Sequence, residues 1–296
     1  MSSRRNFNPW AFILPGAIAG GVVLGVPVVQ ALWTSLHRLR LYRLHDQVFV
    51  GLENYGRLLQ DPLFHLSIRS TVVFTVGCTV LSVLAGLMVA AIMSTRGIRG
   101  TVMARFFMAF YLVPFVTTQV VVGMLGRLYV WEPEYGLVNY LLNLIAVDGP
   151  AWLISRDTAM LATVITNSWR LAPLAILIFY AALATVPEEL IESAEVDGAG
   201  GLRTFTAIKL PLIRYHIGFV TLIQLTSAFR EFDTVFALTG GGPGRATNVL
   251  SLLVYNEGIS AANLGMANAI AFTMLIIVGI LSLVYMRLAR LDKVGD

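Results

Sequence analysis

Residues 187–211, PEELIESAEVDGAGGLRTFTAIKLP, form the polar stretch around which the rest of the chain is organised. Pro187 opens a helix, and Glu188, Glu189, Glu192 and Glu195 crowd its first turns, where acids suit the positive end of the helix dipole. Glu192 and Glu195 share a face at three-residue spacing, with the small Ala194 between them. Asp197-Gly198-Ala199-Gly200-Gly201 then stops this helix with residues that tolerate a tight turn. A second short helix is expected from Leu202 to Leu210, and Pro211 leads onward. Helix, glycine elbow and helix make a compact knob with small residues at its bend, a shape suited to seating in a partner's groove.

Apolar sequence lies on both sides of the knob. Of the 296 residues, 57% are hydrophobic and only 13% charged, and the mean hydropathy is +0.75. A soluble domain carries about 25% charged residues, so the chain reads as an integral membrane protein of all-α class. Six transmembrane helices are predicted at 11–36, 68–93, 106–126, 158–184, 213–238 and 264–286, each meeting the ~20 residues a bilayer requires. Ser3-Arg4-Arg5 superficially suggests an export signal, but the apolar run behind it is too long for one and reads as the first span. Residues 37–67 are expected as a polar connection and 240–263 as a loop. Leu137, Val138, Leu141, Leu142 and Ile145 repeat at helical spacing and predict a short interfacial helix. Trp131, Tyr135, Tyr140 and Trp152 would lie at headgroup level.

The net charge of +4 and pI near 9.4 reflect basic residues at span ends, as topology signals demand, rather than a nucleic-acid surface. With both termini cytoplasmic, the inner segments hold Arg4, Arg5, Arg96, Arg99, Arg105, Arg203, Lys209, Arg214, Arg287, Arg290 and Lys293. The outer ones hold Arg38, Arg40, Arg43, Arg57, Arg69, Arg127, Arg156 and Arg245, a bias of eleven to eight. Cys78 is the only cysteine, and His37, His45, His65 and His216 are scattered, so neither a disulfide nor a paired metal site is expected.

Within the knob, Glu192-Ser193-Ala194, three residues, Gly198, nine residues and Ile208-Lys209-Leu210-Pro211 resemble the cytoplasmic coupling motif of the membrane subunits of binding-protein-dependent ABC importers. That motif is Glu-Ala-Ala, three residues, Gly, nine residues, Ile-x-Leu-Pro, and Ser193 is the single departure within it. Phe49-Val50-Gly51-Leu52-Glu53-Asn54-Tyr55 with Asp61-Pro62 is similar to the same family. So is Phe229-Arg230-Glu231-Phe232-Asp233 through Leu238-Thr239-Gly240-Gly241-Gly242-Pro243 and Thr247, which resembles the carbohydrate-type branch that carries maltose, trehalose and glycerol 3-phosphate. The resemblance implies a type I ABC importer permease fold. Residues 1–67 would be an N-terminal helix and first extracytoplasmic loop, 68–286 the permease core with its coupling loop at 187–211, and 287–296 a cytoplasmic tail. It implies the bacterial or archaeal cytoplasmic membrane as location. The implied partners are a second homologous permease, two ATPase subunits, an extracytoplasmic solute-binding protein, membrane lipid, and a sugar or polyol substrate. Glu192, Ser193, Ala194, Asp197, Gly198 and Ala199 would contact the ATPase.

No catalytic residue and no cofactor are expected on this chain; ATP and Mg would belong to the partner ATPase. Gly240-Gly241-Gly242-Pro243-Gly244-Arg245-Ala246-Thr247 has the glycines of a phosphate loop but no lysine, and it follows a membrane helix rather than a strand. A turn at the outer end of the fifth span suits it better. Ionisable residues inside a span cost about 2.5–3.5 kcal/mol each at the centre of the membrane and mark function by default. Arg170, in Trp169-Arg170-Leu171-Ala172-Pro173, and Gln224, Arg230, Glu231 and Asp233 of the fifth span are therefore candidates for a polar translocation pathway facing sugar hydroxyls. The alternative for any one of them is a packing lock, with Arg170 or Arg230 paired to Glu231 or Asp233. An ion-coupled secondary transporter using Glu231 and Asp233 would leave the coupling motif unexplained, and a membrane scaffold without transport would not need buried charges.

Overall fold

The computed structural model describes residues 10–95 and 97–289. Arg4, Arg5, Arg96, Arg290 and Lys293, five of the charges counted above for orientation, lie outside the described residues. The chain divides into two compact units, 1–64 with 253–276, and 65–252 with 277–296.

The first unit begins with α1 (Trp10–Ser35), an apolar helix that carries Pro15 and Pro27 inside it. The connection after it is not merely polar coil. It holds a two-stranded antiparallel hairpin, β1 (His37–Arg40) and β2 (Arg43–Phe49), and then α2 (Glu53–Gln60). Asn54 explains the motif around it. Its buried amide donates to the carbonyls of Ser35 at 2.7 Å and His37 at 3.0 Å, tying α2 to the end of α1, while Tyr55 meets the Ser35 hydroxyl at 2.7 Å. Against the same carbonyl sits Gly265 of α14 (Leu264–Leu288), where a Cβ would stand 2.2 Å from the His37 oxygen.

The second unit is built on α3 (Pro62–Met93) and α7 (Arg156–Ala184), two long apolar helices in close contact. Lipid is as apolar as a leucine side chain, so helices in a membrane associate through close packing of small residues. Here a Cβ on Gly86 would lie 2.4 Å from that of Ala175, and one on Gly77 would lie 3.0 Å from Val164. Ala90, Ala175, Phe179, Ala182, Leu183, Val186, Ile213 and Val220 make the buried cluster at this end.

Two of the six predicted spans are broken. The third is α4 (Val102–Val116) followed by α5 (Gln119–Leu125) and a π-helical turn, Gly126–Val130, with the two halves bent by 100°. Pro114 removes one backbone donor just before that bend. The fifth is preceded by a helical stretch running through α9 (Gly201–Thr204), a π-helical turn (Phe205–Lys209) and α10 (Leu210–Leu212). This stretch meets α11 (Arg214–Phe229) at 72°. Helix α11 ends well short of the predicted Leu238, and the chain restarts as α12 (Asp233–Leu238). Among the described residues, four helices are long and apolar enough to cross a membrane, or up to six if each bent pair is one span. Helix α5 packs on α12 so closely that a Cβ on Gly123 would lie 2.7 Å from that of Ala237.

Short α6 (Leu137–Asn143) matches the expected interfacial helix. Trp131, however, is not at a lipid surface. It is buried, its indole N–H donates to the Thr166 hydroxyl of α7 at 2.7 Å, and its ring lies 5.2 Å from that of Trp152. The predicted loop at 240–263 also contains α13 (Leu250–Tyr255) and a π-helical turn, Asn256–Ser260. Its glycines do make a turn, with φ of +59°, +88° and +52° at Gly240, Gly241 and Gly244. Thr239 and Thr247 close it through their hydroxyls at 2.7 Å, and Arg156 of α7 donates to the Gly244 carbonyl at 2.7 Å. Asn248 donates to Ser67 of α3 at 2.8 Å, so the turn is stitched to both long helices. The Gly240, Gly241 and Gly242 amides and the Gly242 and Gly244 carbonyls are spent on these internal bonds.

Candidate functional site

Two regions of the second unit carry the residues singled out above. The first is the elbow after α8 (Glu188–Val196). Gly198 adopts φ +76°, a left-handed conformation that costs most residues energy and glycine none. Its N–H donates to the Glu195 carbonyl at 3.0 Å, and the Ala199 N–H reaches back to Ala194 at 2.8 Å. Those two bonds satisfy the last carbonyls of the helix in a Schellman arrangement. Asp197 is the residue between helix and glycine. No residue of α8 is buried; Glu192, Ser193, Asp197 and Gly198 are exposed, while Ala194 and Ala199 are half-buried. A Cβ added at Gly198 would meet nothing within 4 Å. Val196 and Leu202, on either side of the elbow, are 87% and 79% exposed, although both are apolar. The base of α8 is tied down by Arg99, whose guanidinium reaches Glu188 and the Ala184 carbonyl, both at 3.4 Å.

The second region is a cavity of about 350 Å³ where α7, α11, α12 and the start of α5 converge. Arg170, Gln224, Arg230, Glu231 and Asp233 all line it, so the five candidates from two separate spans do meet. They differ in environment. Arg170 and Glu231 are buried, and the guanidinium Nη2 donates to Glu231 Oε2 at 2.7 Å. The other carboxylate oxygen accepts the backbone N–H of Thr234 at 3.0 Å. Arg170 Nε donates to Asn167 at 3.2 Å. Gln224 is fully buried; its amide N–H donates to the Leu171 carbonyl at 2.9 Å, and its Oε1 has no partner. Since only the amide nitrogen can donate to that carbonyl, the free acceptor is the oxygen. The Arg230 side chain is exposed and donates to the Thr226 carbonyl at 3.1 Å. Asp233 opens α12, half-buried. Among these five, then, the arrangement separates a closed ion pair and a buried, unpartnered acceptor from a cation and a carboxylate beside open space.

Three contributors escaped sequence reading. Gln119, at the restart of the broken third span, and Ser227 also line the cavity, and Ser251 of α13 donates to the Glu231 carbonyl. A signal existed for Gln119, a lone amide directly after Thr117-Thr118 in an apolar run. None existed for Ser251, which lies in what reads as a loop.

Residues 82–291 match the family described as "binding-protein-dependent transport system inner membrane component". The chain belongs to that family. Over 296 residues it is 31% identical to the probable ABC transporter permease protein YurN of Bacillus subtilis, covering 99% of each chain. It is 32% identical to the trehalose/maltose transport system permease protein MalF of Thermococcus litoralis over 284 residues, 96% of this chain and 94% of that one. The fold is similar to a chain of the bacterial alginate ABC transporter solved with an alginate pentasaccharide-bound periplasmic protein. The TM-score is 0.78 at 21% identity, over 97% of this chain and 96% of that one. Membership of the family places the broken helices and the elbow within a membrane permease.

Proposed function

We propose that this chain is one permease subunit of an ATP-driven importer that takes up a sugar or related polyol delivered by an extracytoplasmic binding protein. The observation that carries the reading is the elbow at Gly198, a fully formed helix–turn–helix with no buried residue on α8 and apolar side chains left exposed beside it. Such a surface is built for a partner, and the partner is the ATPase subunit, present in two copies with its own ATP and Mg. Glu192, Ser193, Ala194, Asp197, Gly198 and Ala199 form the contact. Both termini then face the cytoplasm of a bacterial or archaeal cell, with six spans in its cytoplasmic membrane and a second, homologous permease completing the pathway.

The cavity supplies this chain's half of that pathway. Arg230 and Asp233 supply a donor and an acceptor for substrate hydroxyls, and Gln224 lines the same cavity with its Oε1 unpartnered. Sugars and polyols match that set, since each hydroxyl both donates and accepts. The relative named for trehalose and maltose supports the same class. ATP closing the ATPase dimer draws the elbows together and turns the helices from inward- to outward-facing, and hydrolysis reverses the movement. An ion-coupled carrier fits less well, because the elbow would have no task and both Glu231 carboxylate oxygens are already engaged.

The test is isolation from native membranes in mild detergent with mass spectrometry of whatever co-purifies. A second permease and an ATPase bearing a phosphate loop are expected. The binding protein is then titrated with maltose, trehalose and glycerol 3-phosphate. A chain that purifies alone and still drives sugar uptake with an ion gradient in liposomes would overturn the proposal.

A further inference from the structure

Glu231 stands at the one place where α11 stops and α12 begins, and four bonds converge on it. Its carboxylate takes Arg170 of α7 on one oxygen and the Thr234 N–H of α12 on the other. Its own N–H donates to Ala228 at the end of α11 at 3.1 Å, and its carbonyl accepts the Ser251 hydroxyl of α13. Arg170 in turn holds Asn167, whose amide approaches the Cys78 sulfur of α3 at 3.5 Å. The Glu231 side chain is only 1% exposed. With both oxygens occupied and no exposed surface, it has nothing left to offer a substrate.

We infer that Arg170 and Glu231 are not substrate ligands but a latch that pins the helix break against α7 and so positions Arg230 and Asp233, the residues flanking Glu231 on either side of the break, at the cavity. A break without a latch is unstable on two counts. The first amides of α12 lack partners within the helix, and a break in membrane surroundings is tolerated only where its backbone is satisfied by protein or water. The Glu231 side chain supplies the acceptor for one of those amides, the Thr234 N–H, and ties the break to α7 through Arg170. The helix that restarts there packs on α5, where Thr234 and Ala237 lie against Gly123. This inference rests on the cavity being the substrate pathway for its consequence, but not for its geometry.

A latch and a pair of ligands predict opposite results from a double substitution. If the two side chains act on each other, Arg170→Gln and Glu231→Gln each disturb the break, and the double variant, which restores a neutral amide–amide pair, recovers it. The full chain in lipid nanodiscs carries Arg230→Cys as a reporter, since native Cys78 is buried and stays silent. Two readouts are taken: the rate of thiol modification by a charged methanethiosulfonate, and hydrogen exchange over residues 231–238. Each single variant is expected to change both by about tenfold, and the double variant to return to within about threefold of the parent. Singles without effect, or a double variant that equals the product of the two singles, would overturn the latch. Neither readout needs a substrate. Sugar uptake by Arg230→Ala tests the cavity reading separately, so loss of uptake there with independent Arg170 and Glu231 effects removes only the latch, and the converse removes only the pathway.

Discussion

The elbow at Gly198 and the break at Glu231 are both interruptions of a helix, and they are made by opposite means. At Gly198 the chain turns because one residue has no Cβ, and two short-range backbone bonds finish the job. Nothing outside the turn is needed, and the surface stays exposed. At Glu231 no glycine is available, and a residue whose charge is costly in the membrane is held by partners on two other helices, 61 residues back and 20 residues ahead. One interruption is local and exposed, the other tertiary and buried. The first suits a contact that another polypeptide must reach, and the second a site that must keep its geometry away from water.

If that contrast is right, Glu231→Ala has the largest effect on stability. It strands the Arg170 charge and the Thr234 amide, a loss of about 3–5 kcal/mol, and detergent-solubilised protein should melt early or fail to accumulate. Packing comes next. Gly86→Leu drives a side chain into Ala175, already 2.4 Å from an ideal Cβ, and overpacking of this kind costs about 1–3 kcal/mol. Thermal unfolding of the purified chain would register it, and an unchanged melting curve would mean that α3 and α7 are not held as described. At the elbow, Gly198→Asp strains the backbone by about 1 kcal/mol and its Cβ meets no neighbour within 4 Å, so the chain itself should melt almost as before. Hydrolysis by the proposed ATPase subunit should nevertheless become uncoupled from uptake, and intact coupling would count against docking there. Smallest in stability is Arg230→Ala, within about 0.5 kcal/mol because the side chain is exposed. Transport should fall while assembly is kept, and parental uptake would remove Arg230 from the pathway.

The elbow was legible residue by residue because its cause is local. Acids at a helix start, glycine at its end and proline before the next helix each act through their own backbone. The membrane class was legible too, since long apolar runs with few charges leave no soluble alternative. The break was not. Arg230, Glu231 and Asp233 read as one polar patch in a continuous fifth span, yet they divide into an exposed cation, a paired anion and the first residue of a new helix. Apolar periodicity extends straight through 213–238, because α11 and α12 are both apolar, and composition does not report where a helix restarts. The hairpin in 37–49 was missed for a related reason. Its β2 is exposed along its whole length, so no buried face alternates with a polar one to announce a strand.

What the amino-acid sequence determined by itself was therefore a membrane chain of apolar helices with a self-contained knob at 187–211, each feature set by residues within one or two turns of one another. Tertiary structure alone decided that Arg170 pairs with Glu231 rather than with Asp233, that Arg230 stays open to the cavity, and that Trp131 packs inward. Choosing a partner for a buried charge depends on which helix faces lie together, and that geometry comes from the close packing of small residues such as Gly86 on Ala175 and Gly123 on Ala237, far away in the chain.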